Sequence, residues 1–154
     1  MVALVALSVC ASFAAAADFP TKPVKIVVPY APGGTTDVLA RFIGQSLSEN
    51  LGQSVVVDNR PGAAEAVGAG MVAKAPADGY TLLLATLTTQ SINPTLFPKL
   101  SFDATKELTA VGRVADVPGM IAVHPGVPAK NLGEFLAYLK ANPGRNYASP
   151  GAGT

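Results

Sequence analysis

The stretch that decides the fold is residues 24–37, VKIVVPYAPGGTTD. It starts with a five-residue run, four of whose members are apolar and β-branched, and a proline ends that run, as is typical of a buried strand. Gly33 and Gly34 then permit positive φ angles and close backbone contact, and Thr35 or Thr36 can cap a helix. Bare N–H groups at a helix start attract anions such as carboxylates. The stretch therefore predicts a strand, an anion-binding loop and a helix.

Further along the chain, strand and helix signals alternate. Leu39, Phe42, Ile43 and Leu47 recur at helical spacing. The predicted elements are a helix over 36–51 closed by Gly52, a strand over 54–58, a helix over 63–75 and a buried strand over 80–86. This βαβαβ order favours an α/β fold with a largely parallel sheet. Ligands of such sheets bind beyond the carboxyl ends of the strands, where the glycine loop must lie.

The second half gives weaker signals. A strand or crossover is predicted over 108–117 and a strand over 120–123. Asn131 is a suitable N-cap with Glu134 three residues later, so a helix should start there and end near residues 142–144. A short strand over 146–148 would then lead into a second glycine-rich loop, SPGAGT, over 149–154. This second loop is the other predicted anion-binding segment.

The N-terminus has the features of an export signal. Residues 1–17 are apolar and end in four alanines, so we expect a signal peptide cleaved before Asp18. Removal of Cys10 with it leaves no cysteine, and about 137 residues remain, enough for one domain core. The net charge is +1 without basic runs, which argues against a nucleic-acid partner. The predicted location is the periplasm.

Catalytic signatures are weak. The GAGMVA run at 68–73 matches a Gly-x-Gly-x-x-Ala dinucleotide fingerprint, but it falls inside a predicted helix, where small residues permit close packing on a sheet. His124 is the one histidine and precedes a Pro-Gly turn. We therefore expect no enzyme activity, no cofactor and no metal. A nucleotide-dependent oxidoreductase and a non-catalytic interaction module stay open as alternatives.

Five motifs occur in an order that resembles a known family. They are PYAPGG at 29–34 with Asp37 and Arg41, DNRPGA at 58–63, DGYTLL at 78–83, INP at 92–94 and YASPG at 147–151. Together they resemble the solute-binding receptors of tripartite tricarboxylate transporters, the Bug family. The resemblance runs from about Asp18 to Thr154.

The resemblance implies a type 2 periplasmic binding protein, in which two α/β lobes with mixed sheets close on a small organic carboxylate. It implies the membrane subunits of the transporter as partners, and a monomer when complete. Transferred residue by residue, the ligand-binding positions are Tyr30, Pro32, Gly33, Gly34, Asp37, Thr86, Thr88, Thr89, Gln90, Ser149, Gly151, Gly153 and Thr154. For Asp37 two roles stay open, either capping the helix or pairing with Arg41 four residues later, or accepting a ligand amine.

The chain also departs from the family. Many members carry histidine near Gln90, and members are roughly twice as long. We therefore expect a fragment, with residues 18–112 as the first segment of lobe one and 113–154 as the incomplete start of lobe two. Apolar faces such as 24–28 and 82–85 should then be partly uncovered.

Overall fold

The computed structural model describes residues 19–148. Its elements are β1 (Val24–Val28), α1 (Thr35–Leu51), β2 (Val55–Asn59), α2 (Ala66–Ala73), β3 (Thr81–Leu83), a π-helical turn (Thr88–Ile92), α3 (Asn93–Leu96) and α4 (Leu132–Ala141). The predicted βαβαβ order and α/β class are confirmed. No helix among these residues is long and apolar enough to cross a membrane.

The three strands form one parallel sheet in the order β2-β1-β3. The central position of β1 buries it on both faces, and Val24, Val27 and Val28 are at most 2% exposed. The expectation that 24–28 would be partly uncovered is therefore wrong. Strand β3 is an edge strand with one neighbour, and its Leu82 and Leu83 are half-buried. This agrees with the expectation that the segment 82–85 would be partly uncovered.

The alternation of side chains along the strands divides the core in two. Ile26 and Val28 pack with Ala40 of α1, and half-buried Leu82 and Leu84 join them. Leu83 points to the opposite face, where it packs against a cluster centred on Ala69 of α2 and Phe102. The sheet is thus covered by a different helix on each face, and its carboxyl edge stays available for loops.

Helix α1 follows its sequence prediction to within one residue. It ends where Gly52 adopts the left-handed conformation, φ 65°, and donates its amide to the Ser48 carbonyl at 3.1 Å. At the other end the capping prediction is wrong. The N-cap residue is Gly34, and neither Thr35 nor Thr36 supplies a capping side chain.

Helix α2 is shorter than the predicted 63–75 because its first turn is replaced by left-handed backbone. Ala63, Ala64 and Glu65 have φ values of 46°, 48° and 74°. This conformation is unfavourable for residues with a Cβ and persists only where contacts hold it. Two such contacts are the bond from Asn93 Nδ2 to the Ala64 carbonyl, at 2.5 Å, and the burial of Glu65.

Residues 104–131 contain no strand, so the strand predicted over 120–123 is wrong, as is the one over 146–148. Of the two alternatives for 108–117, a strand or a crossover, the strand is wrong. A strand needs a neighbour for its backbone hydrogen bonds, and residues 109–126 are exposed throughout. Helix α4 forms as predicted because its signal is local. Asn131 Oδ1 accepts from the Glu134 amide at 3.0 Å, and Glu134 Oε2 accepts from the Lys130 amide at 2.7 Å.

Candidate functional site

The loops that follow β1, β2 and β3 meet at the carboxyl edge of the sheet. Parallel pairing places Val28 beside Asn59 and Val27 beside Leu83, so all three strands end together. The Arg60 amide also donates to the Val28 carbonyl at 2.7 Å, which extends the pairing into the loops. This edge is the one at which open α/β sheets bind ligands.

The glycine loop after β1 turns into α1 through two different backbone conformations. Gly33 has φ 88°, which residues with a Cβ rarely adopt, whereas Gly34 is extended with φ −78° and ψ 169°. The first helical hydrogen bond runs from the Val38 amide to the Gly34 carbonyl at 3.0 Å. The amides of the preceding turn therefore have no acceptor within the helix. These amides form the anion-attracting end of α1.

The buried side chain of Asp37 is hydrogen-bonded to this loop. The residue is 3% exposed, and its carboxylate accepts from the Gly33 amide at 2.9 Å and from Arg41 Nε at 3.0 Å. Asn59 Nδ2 donates to its other oxygen at 3.0 Å. The hydrogen bond from Arg41, followed by that from the Gly33 amide, lowers the pKa of Asp37 to about 2. Of the two roles left open by the sequence, the structure contains the pairing with Arg41.

The Gly33 amide is already engaged within the loop. Because the Gly33 amide already donates to Asp37, the geometry leaves Gly34 and the first residues of α1 as the donors for a ligand. Gly33 contributes its positive φ to the turn. A direct ligand contact for Gly33 or Asp37 stays a prediction.

Asn59 was missed as a functional residue, although its motif carried the resemblance. Its side-chain amide donates to the Tyr30 carbonyl at 3.1 Å as well as to Asp37, and its Oδ1 accepts from Arg41 Nη2 at 3.1 Å. Asn59 thus ties the end of β2 to the loop after β1. The available signal was a polar side chain at the last position of an apolar strand.

Glu65 forms the second buried carboxylate at this edge, and sequence reasoning also missed it. It is 2% exposed and accepts hydrogen bonds from three hydroxyl groups, those of Tyr30, Thr86 and Thr89. The Thr86 and Thr89 bonds are 2.6 and 2.5 Å long. Burial, and next the bond to Glu65, raises the pKa of Tyr30. The signal was the one charged residue in the small-residue segment 62–73.

This carboxylate joins the three loops to each other, because Tyr30 follows β1, Glu65 precedes α2, and Thr86 and Thr89 follow β3. Thr88 and Thr89 are buried, Thr86 is half-buried, and Gln90 is exposed. The structure therefore brings Tyr30 together with the predicted threonines. Pro32 lies exposed in the glycine loop. The predicted residues Ser149, Gly151, Gly153 and Thr154 lie outside the described residues.

The two sequence features that could suggest catalysis are the run at 68–73 and His124, and both have structural explanations. Gly68 and Gly70 lie inside α2, as expected, and a Cβ on Gly68 would lie 2.9 Å from the Arg60 carbonyl oxygen. His124 is an exposed turn residue whose Nδ1 accepts from the Gly126 amide at 3.0 Å. Residues 19–148 contain no group of three histidine, cysteine or acidic side chains placed to hold a metal.

Comparisons with known proteins agree with this architecture. The family model described as "Tripartite tricarboxylate transporter family receptor" matches residues 39–154. A UPF0065 protein of Bordetella pertussis is 39% identical over 154 residues, which cover 99% of this chain and 47% of the relative. The chain thus spans about half the length of the curated relatives it matches.

Two solved structures from Rhodopseudomonas palustris are also similar. Rpa4515 with adipate is 39% identical with a TM-score of 0.78, and covers 82% of this chain and 42% of its own. MatC with bound malate is 36% identical with a TM-score of 0.73, and the shares are 80% and 42%. The sheet, its loop-bearing edge and these similarities define a fold of the periplasmic binding protein class. More narrowly, the chain belongs to the tripartite tricarboxylate transporter receptor family, as its motifs predicted.

Proposed function

We propose that the complete protein captures a small organic carboxylate outside the cytoplasm and delivers it to the membrane subunits of a tripartite tricarboxylate transporter. The observation that carries this proposal is the pre-formed turn at the start of α1, where Gly34 and the first helical amides face no helical acceptor. Support comes from the family match and from two relatives of the same fold named with adipate and malate.

The proposal includes the parts that the resemblance implies. Residues 1–17 act as a signal peptide, residues 18–112 supply the first segment of lobe one, and 113–154 open lobe two. The ligand lies between Tyr30, Pro32, Gly33, Gly34 and Asp37, the threonines at 86, 88 and 89 with Gln90, and the second loop with Ser149, Gly151, Gly153 and Thr154. Binding stabilises a closed arrangement of the lobes, which the membrane subunits recognise. Catalysis is not part of this proposed role.

The mode of capture follows from the charges at this edge. Arg41 is paired with Asp37, and Arg60 Nε lies 2.9 Å from Asp58 Oδ1. Both cations are thus already paired, so among the described residues of this edge we assign the ligand carboxylate to the backbone amides at the start of α1. Such amides and the helix dipole suffice for anion binding.

Thr35 offers a sharp test of this mode. It is the first residue of α1, a position that favours proline, and Gly34 before it has the extended backbone that precedes proline. Thr35→Pro therefore removes one N–H group and leaves the helix intact. Thr35→Val removes the same hydroxyl but keeps the amide, so it serves as the matched control.

The experiment uses the protein expressed from its complete gene. A panel of two- to six-carbon mono-, di- and tricarboxylates is screened by thermal shift, and hits are measured by calorimetry, with NAD as the probe for the nucleotide alternative. We expect at least one acid to bind, and Thr35→Pro to weaken it about 10–100-fold, the value of one hydrogen bond to a charged group. Binding of NAD but of no acid would refute the receptor proposal. Equal affinities of the proline and valine variants would refute capture by these amides.

A further inference from the structure

The hydroxyl groups around Glu65 have a fixed polarity. An ionised carboxylate only accepts hydrogen bonds, and a hydroxyl has one hydrogen to donate. Tyr30 and Thr86 both donate to Glu65 Oε1, and Thr89 donates to Oε2. All three hydrogens therefore point towards the buried carboxylate. Towards any other neighbour, these hydroxyl oxygens can only accept hydrogen bonds.

Two of these oxygens belong to half-buried residues. Tyr30 and Thr86 keep an exposed part, whereas Thr89 is fully buried behind them. The hydroxyl oxygens of Tyr30 and Thr86 lie 3.4 Å apart, and Thr86 Oγ1 also accepts from the Thr88 amide at 3.2 Å. We call these two residues the acceptor pair. It lies at the same sheet edge as the start of α1, since Tyr30 is four residues before Gly34.

We propose that the acceptor pair, polarised by Glu65, selects organic acids that carry a hydroxyl or ammonium group next to the carboxylate held by α1. A hydroxyl or ammonium group on the ligand donates a hydrogen bond to the pair. A ligand carboxylate has no hydrogen to donate there and would also face the negative charge of Glu65. The pair therefore discriminates against a second carboxylate and against a plain methylene group. This inference rests on the proposed function and specifies its ligand class.

Glu65 acts here as a positioning residue. Its backbone is held at φ 74° and its side chain is buried, so the carboxylate has little freedom to turn away from the hydroxyl groups. In Glu65→Gln the side-chain NH₂ donates to one hydroxyl, which frees the hydrogen of that hydroxyl to point towards the ligand. The variant should therefore bind an acid without a donor group relatively better.

The test compares acids that differ in one substituent, measured by calorimetry on the protein from its complete gene. The pairs are succinate with malate, succinate with aspartate, and propane-1,2,3-tricarboxylate with citrate. In the parent protein the acid with the hydroxyl or ammonium group should bind about 3–10-fold tighter within the pair that fits the cleft, the gain of one net hydrogen bond. Glu65→Gln should reduce this ratio towards one. Tyr30→Phe, which removes one acceptor oxygen, should do the same.

Glu49→Gln is the matched control, because it makes the same change on the exposed face of α1, where Glu49 Oε1 accepts from Gln45 at 3.1 Å. It should leave the ratio unchanged. If Glu65→Gln does not fold, the parent ratio and Tyr30→Phe still decide the matter. Acids that bind with no preference within any pair, or a preference that survives both variants, would overturn this inference and leave the receptor function standing. No binding by any acid would overturn both.

Discussion

Gly68 and Gly70 provide a direct test of how α2 reaches the sheet. A Cβ added at Gly68 would lie 2.9 Å from the Arg60 carbonyl oxygen and 3.0 Å from Pro29 Cβ. Both neighbours belong to backbone or to a rigid ring, so they have little freedom to move. A Cβ at Gly70 would lie 3.2 Å from Ser101 Oγ, which can rotate away. The two positions therefore differ in packing, although both lie inside the same helix.

The expected magnitude follows from two opposing effects. Replacing glycine by alanine inside a helix stabilises it by about 0.8–1 kcal/mol, and this gain is common to both variants. Overpacking costs about 1–3 kcal/mol and applies to Gly68 alone. Gly68→Ala should thus be less stable than Gly70→Ala by about 1–3 kcal/mol, whereas Gly70→Ala should equal or exceed the parent.

Urea unfolding of the protein from its complete gene measures this difference. The transition midpoint should fall for Gly68→Ala and stay or rise for Gly70→Ala, with the same slope in all three proteins. Equal midpoints for the two variants would contradict the close approach of α2 to the end of β1. A changed slope would mean that the comparison reports on the unfolded state.

Three further predictions concern the loops and α4. Gly33→Ala should cost about 1–2 kcal/mol in urea unfolding because φ is 88°, whereas Gly34→Ala, with φ −78°, should be nearly neutral, and equal costs would contradict the backbone described. Asp37→Asn should destabilise the protein at pH 7. The folded pKa of Asp37 is about 2 against the ordinary 3.8, so the stability that the ionised group contributes is present above pH 3.8 and is lost as the pH falls through about 2. The difference in unfolding free energy between parent and variant should therefore shrink over that interval. Asn131→Ala removes the cap of α4 and should cost about 0.5–2 kcal/mol or fray the helix in hydrogen exchange, with Asn131→Ser retaining most of the protection.

Elements with local signals could be predicted from the sequence. Helix α1 has an apolar stripe and a glycine stop, and α4 has its cap residue Asn131 beside it, so both were placed to within a residue or two. The segments 108–117 and 120–123 are mostly apolar, but a strand depends on a neighbour whose position a local pattern does not specify. The same limit applies to the start of α2, where contacts from Asn93 and around Glu65 replace a helical turn by left-handed backbone.

The candidate site shows the limit most clearly. The sequence located the glycine loop and the threonines after β3, because they follow strands, but it missed Asn59 and Glu65. The roles of these two residues depend on partners at least 18 residues away along the chain, so spacing alone does not reveal them.

Under the proposed function, this sheet edge binds an anion although its described residues include no unpaired cation, and the two buried carboxylates explain how. Asp37 uses the guanidinium of Arg41 and the Gly33 amide, and Glu65 uses three hydroxyl hydrogens, so each carboxylate fixes the loops by consuming the donors around it. The donors that the proposal uses are the amides at the start of α1, which are rigid and carry partial charges. Releasing a ligand from such amides costs less free energy than releasing one from a buried ion pair, because separating a buried ion pair leaves an unpaired charge. This moderate cost of release suits the proposed receptor function, in which the ligand is first captured and then released.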